Sequence, residues 1–231
     1  DAEIIIVNTC GFIESAKKES IDAILEMAQK KIDGKCQKLI VTGCLAERHT
    51  QELLDEIPEI DHMLGVGQYP QLKNILEEGD FDSRNHVATP AEYYESYTDR
   101  LLTTAFYTAY LKIAEGCSNR CAFCIIPKMR GPMRSRSPES ILAEAENLAQ
   151  RGVKEFNIIS QDTTMYGFDL AMKDGLARLL KGMAKIDGVE WMRLLYCYPT
   201  FLNSDVIDYI ASEEKVCRYI DVPLQHTHDE M

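Results

Sequence analysis

The chain has no apolar run long enough to span a membrane, and it shows no secretion leader at its amino end. No membrane role is expected. It is short of positive charge: 25 Lys and Arg stand against 37 Asp and Glu, a net −12. A protein that grips nucleic acid by its phosphates shows a basic face. None is evident here, so no direct nucleic-acid binding is expected. The acidic balance suits a basic protein partner, and equally an ordinary solvated surface. No short-period repeat or low-complexity tract is present. The initiator methionine is missing too. The chain opens inside a strand-like run and stops at His228-Asp-Glu-Met231, soon after another strand. Both ends read as cut, and a fragment is expected. Eight cysteines without a leader point to a reducing, cytoplasmic setting and to metal chemistry rather than disulfides.

At 231 residues the chain holds one large domain or two small ones. Its pattern is strand then helix, repeated. Ile4-Ile5-Ile6-Val7 and Leu39-Ile40-Val41 are continuous β-branched or apolar runs, as buried parallel strands should be. His62–Val66 is expected as a third strand. Between them Ile13, Ala16, Ile21, Ile24, Leu25 and Ala28 recur at helical spacing. Leu53, Leu54 and Ile57 mark a helix ended by Pro58, and Tyr69-Pro70 opens another that closes at Gly79. A polar stretch from about residue 80 to 99 reads as a linker. Strands are then expected at 109–114, 156–159, 191–196 and 219–222. Ser137-Pro138-Glu139 supplies an N-cap, a proline in the first turn and an acid near the helix N-terminus. That helix runs to Gly152 as its C′ residue. Alternating strand and helix imply a parallel sheet.

Cys117, Cys121 and Cys124 read C-x-x-x-C-x-x-C inside Leu111–Pro127. Three soft thiolates on one loop can hold three corners of a 4Fe-4S cube and leave the fourth iron open to a small molecule. Two other readings stand beside this one. A structural zinc site needs a fourth ligand, and no cysteine or histidine follows at finger spacing. The three are otherwise plain structural thiols. Cys10 and Cys44 each lie just after a strand and next to a glycine, which puts two thiols on one edge of a small sheet. They read equally as half-buried packing residues. Cys36 lies before its strand, on the other edge, and Cys197 and Cys217 sit within apolar or aromatic runs; all three are expected to pack.

The three-cysteine loop resembles that of the radical S-adenosylmethionine (SAM) enzymes. The resemblance implies that the open iron chelates SAM and that an electron from the cluster splits it into methionine and a 5′-deoxyadenosyl radical. Asn8-Thr9-Cys10-Gly11-Phe12-Ile13 and Val41-Thr42-Gly43-Cys44-Leu45-Ala46-Glu47-Arg48 resemble the amino-terminal domain of the methylthiotransferases. In those enzymes three cysteines hold an auxiliary 4Fe-4S cluster. Cys10 and Cys44 match the second and third ligands, and the first lies upstream of Asp1. Cys124-Ile-Ile-Pro127, Arg130-Gly131 and Arg134-Ser-Arg136 follow the same family. Ser160-Gln-Asp-Thr-Thr-Met-Tyr-Gly167, Arg193-Leu-Leu-Tyr196 with Tyr198-Pro199, and Asp221-Val-Pro-Leu-Gln-His226 resemble the branch that modifies ribosomal protein S-twelve.

The fold implied is α/β: a small parallel α/β amino-terminal domain followed by a truncated radical SAM partial (β/α) barrel. The expected boundaries are 1–85, a linker at 86–102, and 103–231 with four strands of the barrel. The implied activity is methylthiolation of the β-carbon of one aspartate in ribosomal protein S-twelve. It uses two 4Fe-4S clusters, SAM and an electron donor such as flavodoxin or ferredoxin. Cys117, Cys121 and Cys124 would hold the SAM-binding cluster, and Cys10 and Cys44 the auxiliary one. Phe123, Gln161 and Asp162 are candidates for contact with SAM. Phe123 is otherwise a core residue, and Asp162 otherwise a helix-entry residue. Lys128, Arg130, Arg134 and Arg136 form a local basic patch that meets either a carboxylate of the substrate or surface glutamates. His226 is read as a packing histidine. The runner-up is a transfer-RNA methylthiotransferase. A plain iron–sulfur electron carrier would need complete four-cysteine sets.

Overall fold

The apolar runs of the sequence become parallel strands joined mostly through helices. The computed structural model of the chain describes residues 2–77, 83–88, 100–225 and 227–229. Two compact units are present: Asp1–Tyr94 with Ser118–Gly131, and Glu95–Cys117 with Pro132–Met231.

The first unit contains β1 (Ile4–Thr9), α1 (Glu14–Asp33), β2 (Lys38–Gly43), α2 (Cys44–Arg48), α3 (Thr50–Glu56), β3 (His62–Leu64) and α4 (Tyr69–Glu77). A further short helix, α5 (Ile126–Arg130), belongs to the same unit. Its sheet has the order β1-β2-β3, all parallel. α1 buries Ser20, Ile24 and Ala28, spaced by four, against β1 and β2. Full burial of Ile24 contributes about 1.5–3 kcal/mol. Glu14 in its first turn and Lys30 and Lys31 in its last complement the helix dipole. The other face of the sheet buries Ile40 and Leu64 against Ile75 of α4. Residues 83–88 run beside β3. Met63 donates its amide to Arg84, His86 donates back to Met63, and the Arg84 side chain donates to the carbonyls of Ile57, Pro58 and Ile60. Much of the expected linker, residues 89–99, lies outside the described residues, as do Gly79 and His226.

The second unit contains β4 (Thr108–Lys112), β5 (Ala114–Glu115), β6 (Arg134–Ser135), α6 (Pro138–Gln150), β7 (Glu155–Ile159), α7 (Gly175–Met183), β8 (Trp191–Leu194), α8 (Ser204–Ser212) and β9 (Val216–Ile220). The main sheet is β4-β7-β8-β9, parallel throughout, and β5 pairs with β6 in a separate antiparallel ribbon. The single strand expected at 109–114 therefore breaks at Ile113. There the chain leaves the sheet, Ile113 donating to Ile159 and accepting from Arg136. The last strand begins at Val216, earlier than the Tyr219 expected, because exposed Arg218 breaks its apolar run. α6 begins as its sequence dictates. Ser137 caps the amide of Ser140 at 3.3 Å, Pro138 occupies the first turn, and Gly152 takes φ +97° just past the end.

Candidate metal and cofactor site

Parallel register sets the first pair of thiols. Thr9 lies opposite Gly43, so Cys10 and Cys44 leave neighbouring strands at the same level. The crossing is tight. A Cβ on Gly43, which has φ +102°, would meet the Thr9 carbonyl at 2.4 Å, and one on Gly11 would meet the Cys44 carbonyl at 2.9 Å. Only glycine fits that approach. The Cys10 turn is pinned to α1 by Ser20, whose hydroxyl accepts from the Cys10 amide at 3.0 Å and donates to its carbonyl at 3.1 Å. Arg48, the last residue of α2, donates to the carbonyl of Gly11 at 3.2 Å. Cys10 is exposed and Cys44 is buried.

The second set of thiols follows β5. Cys117 is a buried residue of the second unit, just after Gly116 at φ +80°. Cys121 and Cys124 are partly exposed and belong with the first unit, joined by a turn in which the Cys124 amide donates to the Cys121 carbonyl at 3.0 Å. Phe123 between them is 77% exposed, which rules out core packing for this ring. α5 follows, with Pro127 in its first turn. Its last residue, Arg130, donates from Nη2 to Sγ of Cys44 at 3.4 Å.

The carboxyl end of β7 completes the residues singled out in the second unit. Gln161 accepts the Gly116 amide on Oε1 at 2.7 Å, which locks the backbone beside Cys117. Asp162 is 1% exposed and caps a single 3-10 turn, accepting from the Thr164 amide at 3.1 Å and hydroxyl at 2.6 Å. Its carboxylate thus does the helix-entry work that the sequence had allowed. Tyr196, at the end of β8, holds φ +58° and is held there from both sides. Its amide donates to Asp221 Oδ2 at 3.0 Å and its carbonyl accepts from the Thr163 amide at 3.0 Å. A bulky residue at positive φ is uncommon, and here two hydrogen bonds hold it just beyond β8.

The basic patch separates into different roles. Arg136 is buried and pairs with Glu144 at 2.7 Å while donating to the Lys112 carbonyl at 2.7 Å. It is a structural residue rather than part of a binding surface. Arg134 donates to the Pro132 carbonyl at 3.2 Å. The remaining cysteines pack largely as expected. Cys36 and Cys197 are buried and Cys217 is half-buried. Burial, with Asp162 and Asp221 nearby, pushes the Cys197 thiol up to about 12.

Among the described residues, no group of three or more His, Cys, Asp or Glu stands together as a ready metal-ion site. The donor chemistry of the loop nonetheless fits an iron–sulfur cluster: three thiols within eight residues, with no carboxylate or imidazole among them. A model described as the radical SAM superfamily matches residues 111–231. The chain belongs to the radical SAM superfamily.

A second model, of an uncharacterized protein family named UPF0004, matches residues 1–65 and so precedes the radical SAM region. The chain is similar to the ribosomal protein uS12 methylthiotransferase RimO of Pelobacter propionicus, 51% identical over 231 residues, covering 99% of this chain and 51% of that protein. It is likewise similar to the RimO of Clostridium kluyveri, 53% identical over 230 residues, covering 99% of this chain and 52% of that one. The chain spans about half the length of these relatives. Among solved structures, the radical SAM methyltransferase TsrM of Kitasatospora setae, determined with tryptophan substrate and a SAM analogue bound, superposes with a TM-score of 0.71. It is 16% identical and covers 100% of this chain and 50% of that one, a likeness of fold alone. No described helix is long and apolar enough to cross a membrane.

Proposed function

We propose that the chain is the cofactor-binding part of a cytoplasmic radical SAM methylthiotransferase. Its substrate is ribosomal protein uS12, and its product carries a methylthio group on the β-carbon of one aspartate. The observation that carries this reading is that 99% of the chain matches about half the length of the named uS12 enzymes, at 51–53% identity. The motif at Ser160–Gly167 supports the same branch. Residues 1–85 would form the methylthiotransferase domain, 86–102 a linker and 103–231 the radical SAM core.

Cys117, Cys121 and Cys124 would hold the SAM-binding 4Fe-4S cluster. Cys10 and Cys44 would hold the auxiliary cluster together with a ligand from elsewhere in the full-length protein. When bound, the pair supplies one-electron reduction of SAM and a sulfur source, chemistry that no side chain here provides. The chain's own residues bind and orient. Gln161 fixes the backbone beside Cys117, and Asp162 shapes the turn that follows β7. Phe123 offers an exposed ring face to the adenine of SAM. The electron comes from a flavodoxin or ferredoxin.

The test uses the full-length enzyme, reconstituted anaerobically, with SAM and a reductant. Ribosomal protein uS12 and transfer RNA are offered together and examined by mass spectrometry. A mass gain on the aspartate peptide of uS12 is expected. Modified transfer RNA with unmodified uS12 would transfer the assignment to the runner-up branch.

A further inference from the structure

The helix that follows the SAM-cluster cysteines ends on the thiol of the other cysteine site. α5 begins two residues after Cys124 and is only five residues long, so Arg130 in its last turn is placed by the length of the helix. α5 packs on α2, whose first residue is Cys44. Across that contact Arg130 Nη2 lies 3.4 Å from Cys44 Sγ, within hydrogen-bonding range for sulfur. Gly131 then turns the chain away at φ +72°. Arg48, by contrast, holds the neighbouring Cys10 turn through a backbone carbonyl. One of the two arginines near the cysteine pair therefore supports backbone, and the other addresses sulfur.

We infer that Arg130 tunes the auxiliary cluster by donating a hydrogen bond from its guanidinium to the Cys44 sulfur. This rests on the assignment of Cys44 as a ligand of that cluster. The guanidinium keeps its charge at any working pH. A cationic donor on a ligand sulfur withdraws electron density from the iron it binds. It therefore favours the reduced cluster and raises the reduction potential. Because Cys44 is buried, solvent screens little of that interaction. The same contact joins the loop carrying Cys121 and Cys124 to the strand end carrying Cys44, so α5 serves both cysteine sets. Arg130 acts through Cys44, as a positioning residue.

The experiment uses the full-length enzyme with Cys117, Cys121 and Cys124 all changed to Ala, so that iron bound after anaerobic reconstitution reports the auxiliary site. Iron and sulfide are counted first. An empty site in this background would remove Cys44 as a ligand, and the inference would fall with that assignment. Given a bound cluster, Arg130→Gln and Arg130→Lys are compared with Arg130 by potentiometric titration followed by EPR. The expected result is unchanged iron content, a lowered midpoint potential in Arg130→Gln, and a smaller shift in Arg130→Lys. An unchanged potential in Arg130→Gln with full iron overturns the inference. If Arg130→Gln loses iron, Arg130→Lys decides: iron retained shows that the positive charge on the sulfur is what matters, and iron lost there too assigns Arg130 a packing role and overturns the inference.

Discussion

The backbone amide of Gly116 donates to the side-chain oxygen of Gln161 at 2.7 Å, one residue before Cys117. β4 and β7 are adjacent parallel strands, and their ladder ends at Lys112 and Ile159. The Gly116–Gln161 bond ties the two segments together again beyond that ladder. Glycine at φ +80° allows the Gly116 turn. A residue that sequence motifs alone would aim at a cofactor is thus engaged with the loop that carries Cys117, the proposed cluster ligand.

Removing that tie should loosen the cluster before it changes the fold. In the reconstituted full-length enzyme, Gln161→Ala should speed iron release to a chelator by about tenfold or more, the range for supports of metal ligands. Gln161→Glu keeps an acceptor at the same reach and should retain most of the iron. Iron release followed by absorbance checks this, with circular dichroism as the control for folding. Equal release from all three proteins would make Gln161 dispensable to the loop.

Arg136 and Glu144 form a buried pair at 2.7 Å, and Arg100 reaches the other oxygen of Glu144 at 3.0 Å. Truncating one partner of such a pair costs about 3–5 kcal/mol, because the other charge stays buried. Arg136→Met should fall at the low end of that range, since Arg100 still compensates Glu144. The double change Arg136→Met with Glu144→Leu should recover much of the loss. Urea denaturation midpoints of the three proteins measure both steps. A double variant no more stable than the single one would mean that the carbonyl contacts of Arg136, to Lys112 and Ser140, dominate.

Gly43→Ala should destabilise the first unit by several kcal/mol. The position requires φ +102°, and the added Cβ would meet the Thr9 carbonyl at 2.4 Å, an atom of the backbone that cannot swing aside. Positive φ alone costs a β-carbon about 1–2 kcal/mol. The steric term adds to it. Relief by parting β1 from β2 would separate Cys10 from Cys44. Thermal denaturation should show a lowered midpoint, and Gly152→Ala, also at positive φ but with open space around it, should show a smaller fall.

The long elements were legible because their signals repeat. β1, β2 and β7 are runs of Ile, Leu, Val and Phe, α1 repeats its apolar residues over 20 residues, and α6 carries Ser137, Pro138 and Glu139 at its start. α2 and α5 were not legible, because five residues make too few turns to show a period. The candidate cysteines were picked out by spacing and resemblance. Their supports were not. Arg136 reads as a surface charge until Glu144 is seen beside it, and Arg130 and Cys44 are 86 residues apart in sequence. Asp162 could be read two ways because aspartate both caps turns and contacts ligands. The position of Thr164 shows that Asp162 does cap its turn.

Stability should fall as pH drops below about 6.5, through a histidine pair. His62 Nδ1 and His86 Nε2 stand 3.2 Å apart where residues 83–88 lie against β3. Burial holds both below the ordinary value of 6.5. His86 and Lys38 lower His62 further, while Asp61 and the Ser83 backbone oppose the shift. The unfolded chain therefore takes up protons at a higher pH than the folded one. Stability from the neutral pair is full above 6.5 and is lost as pH falls through the folded values. The double variant His62→Gln, His86→Gln should flatten denaturation midpoints between pH 7 and pH 5. An acid limb as steep as that of the parent would assign it to carboxylates instead.

Thiol reactivity should follow burial, and protection by iron and sulfide should separate ligand positions from packing positions. Alkylation needs a thiolate and access. Burial first, then the charges of Asp162 and Asp221, push the Cys197 thiol up to about 12, and the residue is 0% exposed. At pH 8 roughly one Cys197 in ten thousand is ionised, on the ordinary titration law. Cys10 is exposed and Cys121 and Cys124 are partly exposed. In the metal-free chain, a brief iodoacetamide pulse followed by peptide mass spectrometry should label these three early. Cys36 and Cys197 should remain unlabelled until denaturant is added. Cys44 and Cys117 are buried in the folded chain and should react slowly, although both are assigned as ligands. Reconstitution with iron and sulfide should then protect Cys117, Cys121 and Cys124 together while leaving Cys217, which is half-buried and assigned to no cluster, as reactive as before. Early labelling of Cys197, or protection of Cys217 in step with the three, would break the division between the two classes of cysteine.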